Sequence, residues 1–386
     1  MKLIATLGTT KANHTHIYYL GNQEYREVFS FFALKKHFNI EDKDVIIIGT
    51  SATKKWQDEF IKNFEFIEVD ADNFEDVFAK TLRSIENNSI VDLTQSFKSL
   101  GFGALLSYSF SKSIGKKVKD IYYAQVQDNC NPSGSECKFV FQSLKKYEDI
   151  VELVREINLF IDSWYVLSQE KDEEFKVIHN NLLEMSQMLS VNDLDIEDNV
   201  KNLKNEIERL LNKKEYAYLY EHLKKLQEEI LKIDNALDIF EYKKLIKFSR
   251  LYLEKNFLLQ SLTMLFEAAS AYLEFKTKDD FECRKGEYKI TKGDNKYKFR
   301  NCLKSKLSCA IHSKCKYESI KELSRFIEIS NLNNFGKHLI RVDHLRNDSA
   351  HAFINGKKEE FENKKSKFKE DIEKELKYFE EILLRK

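Results

Sequence analysis

Helix breakers are scarce in this chain: Pro132 is its sole proline and glycine occurs only 11 times in 386 residues. Few elements are therefore forced to end, and long helices are expected over much of the length. An excess of charge of one sign is missing too. The 63 basic and 63 acidic residues cancel, so no global field recruits a polyanion and any nucleic-acid contact needs a local patch. Long apolar runs are absent. The most apolar stretch, "LGFGALLSYSF", falls well short of the roughly 20 residues that span a membrane. The opening "MKLIATLGTT" is too short an apolar stretch for a signal peptide and reads as a strand ending in a turn. Six cysteines without a regular framework predict reduced thiols and a cytoplasmic setting. There is no G-x-G-x-x-G and no Walker A motif, which leaves a dinucleotide or ATP site unsupported.

What remains is ample for a folded protein. Hydrophobic residues at 42% can fill the two or three cores that this length predicts, and 33% charged residues supply a soluble surface. The first part alternates between strand and helix. "KLIATLG", "DVIIIGT", "FEFIEVD", "SIVDLTQ" and "VKDIYYAQV" read as strands, and "DVIIIGT" is β-branched throughout, as strands buried on both faces are. Tyr25–Phe38, "FEDVFAKTLRSI" and "FGALLSYSFSKS" have helical spacing. Such alternation predicts a doubly wound, Rossmann-like α/β domain. After about Tyr147 the text becomes helical. Leu219, Leu223, Leu226, Ile230, Ile233 and Leu237 form a seam too short for an extended coiled coil, which points to a packed helical hairpin. The second part is expected to be all-α.

Three strand ends share one chemistry: Gly8-Thr9-Thr10, Thr50-Ser51, and Thr94-Gln95-Ser96 with Lys98 nearby. In open α/β sheets, ligands bind beyond the carboxyl ends of the strands. Hydroxyls, freed backbone N–H groups and a cation suit phosphate or ribose oxygens there. The competing reading is that these Ser and Thr residues only cap the adjoining helices.

"LGTTKANHTHIYYLGNQEYREVFSFFAL", "IIIGTSATKKW" and "VDLTQSFKSLGFGALL" together resemble the CARF domain of CRISPR-associated proteins, in the branch marked by D-x-T-H-G. Asp92 and Thr94 match that motif, while Gln95, Ser96 and Lys98 stand where the family has histidine, glycine and arginine. The resemblance implies a sensor of cyclic oligoadenylate, tetra-adenylate favoured over hexa-adenylate, and leaves open whether the domain also cleaves the ring.

Near the other end, "HLRNDSAH" spells R-N-x-x-x-H from Arg346 through Asn347 to His351. Arginine offers a permanent forked cation for phosphate, and histidine moves protons near neutral pH. RNA carries its own nucleophile, the 2′-OH, so this pair is a sufficient set without a metal. Residues five apart lie roughly 140° apart around a helix. Either a helix starts near Arg346, or a second copy completes the site across a twofold axis. An incidental Arg and His on a solvated helix is the plain alternative. The motif, late in a helical region, resembles that of the HEPN ribonucleases. By position Arg346, Asn347 and His351 become the catalytic set, Asp348 a weaker support, and His344 a surface residue.

Between Arg284 and Lys316 there are eleven Lys/Arg against Glu287 and Asp294, with Tyr288, Tyr297 and Phe299 interleaved. A basic stripe with aromatics suits single-stranded RNA, although a solvated loop would look the same. Cys283, Cys302, Cys309, Cys315 and His312 share the region, but their irregular spacing favours free thiols over a metal site.

Together the halves resemble a CARF–HEPN effector of type III CRISPR systems. The expected divisions are 1–147 for the sensor, 148–235 for a helical connector or hairpin and 236–386 for the nuclease. The implied protein is a homodimeric, cytoplasmic, metal-independent single-strand endoribonuclease, needing no cofactor beyond its activator. The alternative is a ligand-sensing regulator whose helical domain only dimerises.

Overall fold

A computed structural model describes residues 1–9, 14–96, 98–127, 130, 135–167, 174–285, 288–292, 296–311, 320–354 and 358–385. They form two compact units, Met1–Glu152 and Leu153–Lys386.

In the first unit the chain runs β1 (Leu3–Leu7), β2 (His16–Leu20), β3 (Gln23–Glu27), α1 (Ser30–His37), β4 (Val45–Gly49), α2 (Ser51–Ile61) and β5 (Glu65–Glu68). It continues with α3 (Phe74–Ser84), β6 (Ile90–Gln95), α4 (Lys98–Ser113), β7 (Asp120–Val126), β8 (Lys138–Ser143) and α5 (Lys145–Ser163), which leads into the second unit. The eight strands make one sheet in the order β3-β2-β8-β7-β6-β1-β4-β5. Around β1 the pairings are parallel, to β4 on one side and β6 on the other. Alternate residues of the central strands feed two cores. Leu3, Ala5, Val45 and Ile47 join Phe31 and Leu34 of α1 and Ile61 of α2, while Ile4, Ile46 and Ile48 join Val77 of α3 and Leu100 and Ala104 of α4. Both faces are covered, as a doubly wound sheet requires.

Two details differ from the sequence expectation. The sheet is mixed, because β2–β3 and β7–β8 pair antiparallel. The helix expected from Tyr25 begins only at Ser30. Gly21, with φ +59°, turns the chain so that Leu20 pairs with Gln23, and residues 23–27 are drawn into a hairpin strand.

The second unit contains α6 (Lys176–Ser190), α7 (Glu197–Leu211), α8 (Tyr220–Ala236), α9 (Glu241–Glu254) and α10 (Leu258–Phe275). After these come β9 (Cys283–Lys285), β10 (Tyr288–Ile290), α11 (Lys296–Ile311), α12 (Ile320–Leu323), α13 (Leu332–Ile354) and α14 (Lys358–Leu383). Among the described residues it is helical apart from the small antiparallel β9–β10 ribbon and an isolated Thr277–Ile327 bridge, which an all-α reading did not contain. The seam of α8 is the packed face expected: Leu223, Leu226, Ile230 and Ile233 are fully buried, and α8 packs against α7. Among the described residues no helix is long and apolar enough to cross a membrane.

The expectation of reduced cysteines is overturned. Cys130 and Cys137 are joined in a disulfide, their Cα atoms 5.7 Å apart at the end of the β7–β8 hairpin, and Cys302 and Cys309 are also disulfide-bonded. Folding brings together cysteines whose spacing showed no framework, so the argument from thiols to the cytoplasm loses its premise.

Candidate functional site

The three polar strand ends of the first unit belong to β1, β4 and β6, which are neighbours in the sheet. After β1 the chain visits β2 and β3 at the far edge, crosses to β4 and β5 on one side of β1, then returns to β6 on the other side. That reversal creates the crevice where open α/β sheets take ligands.

Within this edge, most of the nominated side chains are tied to the scaffold. Thr50 caps α2: its Oγ1 accepts from the N–H of Thr53, and Thr53 Oγ1 accepts in return from the N–H of Thr50. Gly49 permits the close approach, since a Cβ there would lie 3.0 Å from the Leu7 carbonyl oxygen. Thr94 Oγ1 accepts from the N–H of Ala124, and the Ser96 hydroxyl donates to the Leu93 carbonyl. The Gln95 carboxamide accepts from the N–H of Ser30 and donates to the Tyr18 hydroxyl. Asp92 is buried, accepting from the Ser30 hydroxyl at 2.6 Å and the Thr94 N–H at 2.9 Å. Burial pushes its carboxyl above the usual range against the pull of those bonds.

Gly8 is buried and its N–H donates to the Gln95 carbonyl, which pins the β1 loop to β6. Thr9 is half-buried and Ser51 exposed. Thr10 and the side chain of Lys98 lie outside the described residues. Beside Thr50 and Ser51 is a cavity of about 530 Å³ walled by Glu68, Asp70, Asp72 and Asp76. Its lysine, Lys80, is already bound to Asp76 and the Glu68 carbonyl. That β5 side is acidic and repels phosphate; among the described residues the β1–β6 side carries no such wall.

In the second unit, Arg346, Asn347 and the backbone of His351 all sit on α13. The side chain of His351 lies outside the described residues. Asn331 caps this helix, its Oδ1 accepting from the N–H of Asn334, and no proline interrupts the turns beyond it. Leu332, Phe335, Leu339, Val342 and Ser349 form its buried face, leaving His344, Asn347 and Asp348 exposed. The helix starts fourteen positions before Arg346 and continues past His351. Arg346 and His351 therefore stand about 140° apart and ~7.5 Å along one rod.

Arg346 is held on two sides. Its Nη2 donates to Asp343 Oδ1 at 2.9 Å, and its guanidinium carbon lies 4.2 Å from the ring centre of Phe266 on α10. Asp343 also pairs with Lys304 of α11, whose Nζ is 4.8 Å from the same ring. Two cations, one carboxylate and one aromatic face fix the guanidinium while leaving its side chain 26% exposed. Asp343 was missed in the sequence although it is legible there, three residues before Arg346 on a helix. Phe266 leaves no local signal. Asp348, the nominated support, faces solvent.

Arg346 and Asn347 also line a cavity of about 460 Å³ shared with the end of α6 and with α10. The basic segment is less free than its composition implies. Lys292 pairs with Asp279, Lys296 and Arg300 with Glu241, Arg300 also with Glu274, and Lys304 with Asp343. Phe299 is buried in the core, whereas Tyr297 is exposed. The side chain of Tyr288, with His312 and Cys315, lies outside the described residues. No group of three side chains able to hold a metal occurs among the described residues.

No protein-family model matches the chain, and no curated protein does. Among solved structures, Enterococcus italicus Csm6 bound to cyclic hexa-2′-fluoro-hexa-dAMP aligns over 97% of this chain and 94% of its own, at 11% identity and a TM-score of 0.40. A superposition that loose assigns this chain neither a family nor an activity.

Proposed function

We propose that this chain is a metal-independent single-strand endoribonuclease activated by a cyclic oligoadenylate. The observation that supports it best is the state of Arg346: a partly exposed guanidinium, oriented by Asp343 and Phe266, that lines a cavity. An oriented fork is what a developing phosphorane needs. His351 serves proton transfer to or from the 2′-OH and the 5′-oxygen leaving group, and Asn347 positions the substrate. The 2′-oxygen attacks the phosphorus, the P–O5′ bond breaks, and the products are a 2′,3′-cyclic phosphate and a 5′-OH. No metal is needed, because RNA brings the nucleophile.

The continuity of α13 favours a homodimeric site. Because the helix starts at Leu332 rather than near Arg346, the reading we favour is that a second copy completes the site across a twofold axis. The activator belongs at the β1–β6 side of the sheet edge, where Thr9, Gln95 and Ser96 lie. Cyclic tetra-adenylate is the first ring to try, on family resemblance. A cytoplasmic setting follows from the proposed substrate and activator, not from the cysteines.

The test is cleavage of a fluorogenic RNA in EDTA, with and without cyclic tetra- and hexa-adenylate. His351→Ala should lose ~100- to ~10,000-fold in rate while still folding. Wild-type-like cleavage by that variant would remove the nuclease assignment. Ring binding without cleavage by the wild-type protein would leave a ligand-sensing regulator with a dimerising helical unit.

A further inference from the structure

Three helix ends meet around one arginine at the start of α11. Arg300 donates from Nη2 to Glu241 at the start of α9, 2.8 Å away, and from Nε to Glu274 near the end of α10, 2.7 Å away. Its own side chain is only 12% exposed. This clasp fixes the ends of α9, α10 and α11 against one another.

Around the clasp the molecule leaves apolar surface in water. Phe240 is 43% exposed, Phe275 47%, Tyr297 71% and Ile239 93%. The rings of Phe240 and Phe275 lie 5.9 Å apart between centres, and both pack on Tyr242. A single exposed apolar residue is ordinary, whereas a cluster of them points to a partner.

Charge narrows the choice of partner. Lys243 Nζ is 5.3 Å from the ring centre of Phe240, and Lys276 Nζ is 5.5 Å from that of Phe275. Among the described residues neither lysine is paired with a carboxylate. The carboxylates adjoining the two rings are already neutralised: Asp238 pairs with Lys247, Glu241 with Lys296 and Arg300, and Glu274 with Arg300. Exposed rings bordered by unpaired ammonium groups suit a single nucleic-acid strand, whose bases stack while its phosphates meet the cations. A duplex hides its base faces and offers the rings nothing.

The same pattern runs along α11 toward Arg346. Lys296, Tyr297, Arg300 and Lys304 occupy an arc of roughly 100° on that helix, and Lys304 lies ~12 Å beyond Lys296. Lys304 pairs with Asp343, the carboxylate that orients Arg346. We propose that the surface of Phe240, Phe275 and Tyr297 is a stacking platform for single-stranded RNA, and that it holds the strand to one side of the step cut at Arg346. The second half rests on the nuclease reading of Arg346; the platform itself does not.

The test on the full-length protein is fluorescence anisotropy of a labelled single-stranded oligoribonucleotide with the His351→Ala variant, joined to activated cleavage of a long RNA with His351 intact. Tyr297→Ala should weaken binding ~5- to ~150-fold, the loss of one stacked base. Tyr297→Phe keeps the ring and should bind as the parent does. Because Tyr297 is largely exposed, neither change opens a cavity in the core. Lys243→Ala with Lys276→Ala should weaken binding and reduce its log–log salt slope by ~1.4, as two lost single-strand phosphate contacts require. In cleavage, Tyr297→Ala should raise KM for the long RNA. Binding indifferent to Tyr297→Ala, or lost equally in Tyr297→Phe, overturns the platform and leaves the nuclease standing. Tyr297-dependent capture of anionic phosphatidylglycerol vesicles without RNA binding overturns it in favour of a membrane surface. Tyr297-dependent RNA binding in a protein that cleaves no RNA supports the platform and removes the nuclease.

Discussion

Arg346 is useful only while its fork points the right way, and Asp343 sets that direction. Replacing Asp343 with asparagine keeps the shape but removes the charge that balances both Arg346 and Lys304. Freed of it, the guanidinium samples other rotamers over Phe266. Misplacing a reacting group by about 1 Å costs up to ~100-fold, so on the proposed reading Asp343→Asn should lower kcat by ~10- to ~100-fold with little change in KM. Under the proposed ribonuclease reading, single-turnover and steady-state kinetics in the presence of the ring decide it, and an unchanged kcat would make Asp343 merely a surface partner. At this scale the sequence was readable in part. Arg346, Asn347 and His351 form a local pattern, and Asp343 lies within one turn. Phe266 and Lys304 are 80 and 42 positions away from Arg346 and reach it only through packing of α10 and α11. Three cations of the basic segment, Lys296, Arg300 and Lys304, are engaged for the same reason, because Glu241, Glu274 and Asp343 reach them from other helices.

Elements were clearest where one signal acted alone. "DVIIIGT" became the fully buried β4, and the leucine–isoleucine seam became the buried face of α8. Tyr25–Glu27 went the other way, since a two-residue turn with Gly21 outweighed a helical pattern that holds only from Ser30. The cysteine pairing had no sequence signal, because it depends on which strands lie side by side. The α13–α11 contact is another such case. At Gly336 a Cβ would lie 2.3 Å from Ile311 Cδ1 and 2.8 Å from Leu307 Cγ, so α11 rests against bare backbone. Gly336→Leu should destabilise the protein by ~1–3 kcal/mol through overpacking, read as a lower midpoint in urea. A midpoint equal to wild type would show that α11 can step aside.

For the whole molecule, the order of strands explains why distant loops could be grouped in advance. Loops after β1, β4 and β6 are separated by about 40 residues each, yet any doubly wound sheet that winds out and back brings them to one edge. Which of their side chains remain free was not legible. Capping by Thr50, the pairing of Thr94 with β7 and the turn of Gln95 toward Ser30 and Tyr18 are all products of the assembled sheet.

The unbroken course of α13 has one more consequence, and it concerns the mixing of damaged subunits. If each centre takes Arg346 from one copy and His351 from the other, then Arg346→Ala and His351→Ala dimers are each dead at both centres. A mixed dimer is not, because one centre takes the arginine of the His351→Ala chain and the histidine of the Arg346→Ala chain. Random exchange makes half the dimers mixed with half their centres whole, so two inactive preparations should regain about a quarter of wild-type turnover when combined. The measurement is RNA cleavage after the two variants have exchanged subunits, with each variant alone as the baseline. Silence in the mixture would place arginine and histidine in the same chain's site.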